Sequence, residues 1–205
     1  NTRITRGSKF APFIKMPKGM GGYIDFTGPR RPTYVYGLRF ERGRGSEHSP
    51  ELGWGTKSRG YLKYMPTDTL SFSLTYQHQR ENEWLNWYGD NLLATFQRKQ
   101  RTSIVEMEWF RNNIHELRIK AQMVAFTGIE PQSFLGDLSG NLNTEDIYIP
   151  PITISELAFK VRYRYEIMPL SYLYLVYSKG GRISLQDEED DLFSLYRRPW
   201  KCLLY

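Results

Sequence analysis

The sequence predicts an all-β fold: a transmembrane, antiparallel, up-and-down β-barrel, of which residues 1–205 supply the C-terminal strands. Three observations predict it. Apolar and polar residues alternate with a period of two through segment after segment, the signature of strands with unlike faces. The apolar phase of those segments carries almost no charge, while the polar phase carries both signs. Tyr and Trp gather at segment ends beside turn signals, where a ring tolerates apolar surroundings and keeps its O–H or N–H wet.

Strands are expected at 20–27, 33–43, 54–65, 70–80, 100–110, 116–126, 154–165, 171–179 and 199–205. In the second, Tyr34, Tyr36, Leu38 and Phe40 alternate with Val35, Gly37, Arg39 and Glu41. The third opens at Trp54, ends at Tyr64 and carries Lys63 on its polar phase. In the fourth, Leu70, Phe72, Leu74 and Tyr76 alternate with Ser71, Ser73, Thr75 and Gln77. Val105, Met107 and Trp109 then oppose Glu106, Glu108 and Phe110, and Leu117, Ile119, Ala121 and Met123 oppose Glu116, Arg118, Lys120 and Gln122. Leu157, Phe159, Val161 and Tyr163 interleave with Glu156, Ala158, Lys160 and Arg162.

Two faces follow from this phasing. Leu70, Phe72, Leu74, Val105, Met107, Leu117, Ile119, Leu157, Phe159 and Val161 are expected to meet lipid. Arg39, Glu41, Lys63, Glu106, Glu108, Arg118, Lys120, Lys160, Arg162 and Arg164 are expected to line the lumen. A lipid-facing Arg or Lys near the bilayer midplane would cost ~2–4 kcal/mol. Hairpin registry about the turn at 111–115 sets Glu108 opposite Arg118 and Glu106 opposite Lys120. Lys160, Arg162 and Arg164 form a basic row poised to stack on Tyr172 and Tyr174. That row either sets anion preference in a pore or, as one half of a balanced charge lattice, fills a plugged lumen.

Turns alternate in length. Short ones are expected at 28–32, 66–69, 111–115 and 166–170, where Pro, Asn and Asp supply turn geometry. Long loops are expected at 44–53, 81–99, 127–153 and 180–198. Outer-membrane barrels sort their connections this way, with the short turns periplasmic. On that polarity Tyr205 ends in the periplasm and the first strand runs inward. Nine strands do not close a barrel in the usual even count, so at least one upward strand is expected before them. The start at Asn1, without a basic–apolar–small leader, agrees with a piece of a longer or processed chain.

Composition removes other classes. No run approaches the ~18 apolar residues of a helical span; the longest, 168–177, is far shorter. Mean hydropathy is −0.56, yet the 15 tyrosines and the other aromatics argue against disorder. A single cysteine, Cys202, excludes an internal disulfide framework and a Cys-based zinc site. The net charge of +6 is spread along the chain rather than gathered into a patch, and no nucleic-acid-binding module is present.

Residues 61–76, 93–126 and above all 155–181 resemble the C-terminal region of a group of large bacterial proteins. Those carry an N-terminal family-9-type carbohydrate-binding-module-like domain followed by an outer-membrane-type barrel of unassigned function. The most specific element is an alternation of basic and apolar residues, then Pro169-Leu170-Ser171, an apolar strand, and Gly180-Gly181. The resemblance covers most of residues 54–181. It implies a Gram-negative outer-membrane location, and a β-sandwich domain and further strands preceding this chain. The segment Pro199-Trp200-Lys201-Cys202-Leu203-Leu204-Tyr205 departs from the family, which ends on a cleaner alternating strand.

The expected function is therefore a porin-like channel or uptake component. The resemblance extends it to carbohydrate-linked material, a step that rests on analogy. A closed, charge-plugged barrel anchoring another outer-membrane or periplasmic protein is the alternative, and a soluble carbohydrate-binding β-protein a third. Membrane lipid is the expected partner; no nucleic acid or cofactor is expected. Trp84, Trp87 and Tyr88 form a candidate binding platform in a long loop, or part of an interfacial belt. Asp187, Glu188 and Asp190 lie in an acidic run that could hold Ca²⁺ but lacks the Gly and spacing of a defined calcium loop; a solvated loop is the plainer reading. No catalytic constellation emerges: His48 and His115 fall in connections, and His78 sits on the apolar phase, out of phase with Ser71 and Ser73.

Overall fold

A computed structural model describes residues 2–4, 13–16, 18–44, 53–112 and 114–185. Every regular element among them is a strand: β1 (Thr2–Ile4), β2 (Phe13–Lys15), β3 (Met20–Thr27), β4 (Tyr34–Arg44), β5 (Gly55–Thr67), β6 (Leu70–Gly89), β7 (Leu92–Arg111), β8 (His115–Gly136), β9 (Leu142–Glu145), β10 (Ile152–Met168) and β11 (Ser171–Leu185). β1 and β2 make a small antiparallel ribbon. The rest form one sheet in the order β3-β4-β5-β6-β7-β8-β10-β11, with β9 paired along the end of β8. All neighbours are antiparallel and consecutive apart from β9, so the sheet is an up-and-down meander. Its edges, β3 and β11, are not joined to each other.

Register carries the alternation from strand to strand. One row of directly paired residues runs Tyr34, Tyr64, Phe72, Met107, Ile119, Val161, Tyr177. The adjacent row on the same face runs Tyr36, Leu62, Leu74, Val105, Ala121, Phe159. A one-residue slip anywhere would throw a whole strand to the wrong face, and none occurs across these rows. The apolar face is open to its surroundings: Ile24 is 74% exposed, Leu38 61%, Val105 50% and Leu175 58%. Toward β8 and β10 it is covered, with Met123, Ala125 and Leu157 buried. Leu157, expected to meet lipid, is only 2% exposed.

Dry packing lies elsewhere, at the far end of β6–β8. Ile14 of β2 packs on Leu85 and Leu93, beside Met16 and Leu142. Ile149, in the connection before β10, packs on Ala94 and Phe96, beside Trp84, Leu92 and Ile152.

Three expected loops are corrected, in whole or in part. Residues 81–99 are the upper halves of β6 and β7, joined by a tight turn in which Gly89 and Asp90 take positive φ of 133° and 41°. The alternation of β6 is hidden because the register shifts between Glu81 and Trp84 and again between Trp87 and Gly89, each time with an extra residue on β6; each bulge resets the phase by one residue. Residues 127–153 likewise begin as strand, since β8 continues to Gly136. Pro131, which has no N–H to give a ladder, sits in a bulge of β8, where the step from Ile129 to Gln132 faces the shorter step from Gln97 to Thr95. Residues 180–185 of the loop expected at 180–198 belong to β11, and residues 186–198 lie outside the described residues. The expected loop at 44–53 for residues 45–52, the strand at 199–205, His48, Trp200, Cys202 and the acidic residues Asp187, Glu188 and Asp190 lie outside the described residues.

Candidate functional site

The second face of the sheet is a lattice of charge. Its rows run Lys63, Ser73, Glu106, Lys120, Lys160 and Ser71, Glu108, Arg118, Arg162. Strand neighbours thus present acid on β7, base on β8 and base again on β10. Lys120 and Lys160 are directly opposed, as are Arg118 and Arg162, an arrangement that repels. Relief comes from carboxylates on either side. Lys120 Nζ lies 2.8 Å from Glu106 Oε1, and Ser73 Oγ donates to Glu106 Oε2 at 3.2 Å. Glu108 stands between Arg118 at 3.6 Å and Lys63 at 4.0 Å. The pairings of Glu106 with Lys120 and Glu108 with Arg118 are those the hairpin turn implies.

Glu116 is the hub of this lattice. Its carboxylate is almost fully buried, accepts a hydrogen bond from Arg162 Nη2 at 3.4 Å, and is ion-paired with Arg118 and with Arg164, whose Nε lies 3.0 Å away. Arg164 and Arg162 also lie over the rings of Tyr172 and Tyr174, at 4.9 and 5.7 Å. The sequence puts Glu116 on the polar phase but does not mark it as a hub, because two of its partners come from β10, beyond the intervening β9 and its connections. Lys63, Arg118, Lys120, Lys160, Arg162 and Arg164 against Glu106, Glu108 and Glu116 leave this region at +3. The lattice is paired but not neutral.

A second part of the same face lies over β3–β7. Arg39 pairs with Glu41 and, at 3.4 Å, with Asp25, and stacks on the Tyr23 ring at 4.3 Å. Higher up, buried Glu81 accepts from Arg98 at 3.0 Å and from Gln79. Between them is a hollow of ≈ 690 Å³ lined by Arg39, Glu41, Lys57, Gln79, Glu81 and Arg98 together with the glycine-rich ends of β3 and β4. Neither Asp25, Glu81 nor Arg98 stands out in the sequence, since Glu81 and Arg98 fall in what reads as a loop.

Trp84, Trp87 and Tyr88 do not form a loop platform: all three stand on β6. Trp84 packs edge-on to Phe126 at 5.4 Å, with Arg98 over both rings, and Tyr88 faces Phe96 at 6.2 Å. Trp87 points to the opposite side, its Nε1 donating to Asp90 O at 3.1 Å. Strand alternation, which no loop imposes, separates them. His115 Nδ1 lies 2.6 Å from Tyr163 Oη and its ring stacks on Tyr165 at 5.1 Å, at the short-turn rim. His78 is on the apolar face, opposite Ser58 on one side and Arg101 on the other; among the described residues no hydrogen bond joins Ser58 to His78 and no carboxylate orients the ring. No family model, no curated protein and no solved structure matches the chain.

Proposed function

We propose that this chain forms part of a transmembrane β-barrel in a Gram-negative outer membrane, working as an anion-preferring, porin-like channel or uptake component. One observation carries the reading. Across the meander, register gathers large apolar side chains on a face that is largely exposed over β3–β7 and at β11, and ion-paired charges on the other. In water such exposure of contiguous apolar surface is unfavourable; against hydrocarbon it is the stable arrangement, provided every backbone group is paired. Closing the ring then requires further strands between β3 and β11. Tyr34, Tyr64, Trp109 and Tyr163 mark one boundary of the apolar band, near the short turns.

Anion preference follows from the excess of +3 around Glu116 and its neighbours, since a charged ring in a narrow pore selects the opposite sign. The sequence resemblance adds carbohydrate-linked material as cargo. No enzymatic step, cofactor or nucleic acid enters this reading. The test is conductance: the full-length protein, reconstituted in planar bilayers under a salt gradient, gives discrete steps with a reversal potential of anionic sign. A folded barrel that carries no current sinks the channel reading.

A second reading, a closed barrel that anchors another outer-membrane or periplasmic protein, is favoured by one feature. Ile149, Ala94, Phe96 and Trp84 form an apolar cluster on the polar-face side at the long-strand end. Such a cluster narrows that mouth. Silence in the bilayer with an intact fold would select this alternative.

A further inference from the structure

The apolar face changes character along its strands. Eight residues above Tyr34, its row meets Arg42, and that row continues Arg42, Thr56, Arg80, Lys99. The row beneath brings Ser58, His78 and Arg101 side by side, and Arg44 follows Arg42 on the same face of β4. These cations differ from most of those on the other face. Arg39, Lys63, Arg98, Arg118, Lys120, Arg162 and Arg164 each meet a carboxylate. Among the described residues, Arg42, Arg44, Arg80, Lys99 and Arg101 meet none. Glu83 lies beside Gly53 at one end of the cluster and is not ion-paired with it. Arg42 and Arg44 instead lie over the Trp54 ring at 5.5 and 5.4 Å. The buried Nε of Arg44 and of Arg101 and the Nδ1 of His78 have no hydrogen-bond partner.

We propose that Arg42, Arg44, His78, Arg80, Lys99 and Arg101 form a docking site for the phosphate groups of an anionic lipid headgroup. The proposal rests on the bilayer reading of this face and names what meets its upper edge. Height supports it. Eight residues of strand from Tyr34 to Arg42, or from Trp109 to Arg101, measure about 27 Å along the strand, or about 19–22 Å at a tilt of ~35–45°. That approaches the ~25 Å apolar band of such barrels, so the cations stand at headgroup level with acyl chains below them. Arg42 and Lys99, three strands apart, span roughly 14 Å, room for more than one phosphate. Arg prefers this ligand because its planar fork binds two oxygens at once.

The experiment inserts the full-length protein into vesicles of phosphatidylcholine, with or without a diphosphorylated glycolipid, and counts retained glycolipid by native mass spectrometry. Heat-modifiable gel mobility monitors insertion. Wild-type protein retains the glycolipid. The variant Arg80→Gln/Lys99→Gln/Arg101→Gln retains it roughly a hundredfold less well, from about a factor of five per cation, and Arg80→Lys/Arg101→Lys, which keeps the charge without the fork, retains it far better than the glutamine variant. If the triple variant does not insert, Lys99→Gln alone replaces it, with roughly fivefold weaker retention expected. Equal retention by wild type and the glutamine variants overturns the proposal and leaves the membrane reading standing. Equal loss in the lysine variant also overturns it, since charge would then not be the determinant. A protein that enters neither vesicle overturns both.

Discussion

Glu116 concentrates the chemistry of the charged face in one side chain. Three guanidinium groups converge on a carboxylate that is 3% exposed. Removing one partner of a buried ion pair costs about 3–5 kcal/mol because the remaining charge is stranded. Here the arginines left behind are 26–46% exposed, so Glu116→Gln is expected to lower stability against urea by less, about 1–3 kcal/mol, and to move the reversal potential further toward anions. An unchanged reversal potential in a conducting variant would remove Glu116 from the ion path.

Gly37 makes a different demand. A Cβ there would lie 2.4 Å from the Tyr61 ring, which covers the glycine across the β4–β5 pair. Gly37→Ala has to displace that ring, and overpacking of this kind costs typically ~1–3 kcal/mol. Equilibrium unfolding of the variant checks it; a neutral result would mean the ring swings away freely. The sequence marks Gly37 only as a polar-phase residue of an alternating strand. Which ring lies over it depends on register, which composition does not reveal.

At the scale of elements, the legible strands are those without irregularities. The expected segments 20–27, 33–43 and 54–65 lie within a residue or two of β3, β4 and β5, because unbroken alternation and terminal turn residues bound them. β6, β7 and β8 run far past their expected ends. Two bulges in β6 and one in β8 at Pro131 break the period there, and Gly89-Asp90-Asn91, a plain turn signal, reads as loop when the flanking phase is lost. Ion pairs within a hairpin, such as Glu106 with Lys120, follow from the turn. Those reaching across a long connection, such as Glu116 with Arg164, do not.

The turn after β8 has its own chemistry. Asp137 accepts from the Asn141 and Ser139 backbone amides, each at 2.8 Å, and from the Asn141 side chain at 3.0 Å. These bonds, with that from the Asn141 backbone foremost, hold its carboxyl below the ordinary aspartate pKa. A depressed folded pKa means the bonds contribute fully above the ordinary value and are lost as pH falls through the lower one. Amide shifts of Ser139 and Asn141 should titrate with a midpoint below that of an unstructured aspartate, and Asp137→Asn should flatten them. A midpoint at the ordinary value would show the cap to be idle. The same turn receives β2, since Lys15 N donates to Gly140 O at 2.8 Å.

On the proposed reading, the whole molecule is organised by which solvent touches which face. Val105 is half exposed in the middle of the apolar band, and Ser73, on the neighbouring strand, belongs to the charged face. Val105→Arg is expected to weaken folding into vesicles by about 2–4 kcal/mol, while Ser73→Ala changes it by well under that. Urea titration of both variants in the same vesicles makes the comparison. Equal effects would mean that the two faces meet the same medium, and the barrel reading would fall.

β6 and β7 carry on past Arg80 and Lys99 for about 24 Å of paired strand before turning at Gly89 and Asp90. On the proposed orientation that ribbon is a mast above the cell's surface. Its tip, rather than the lipid or the lumen, would on that orientation be the first thing met from outside.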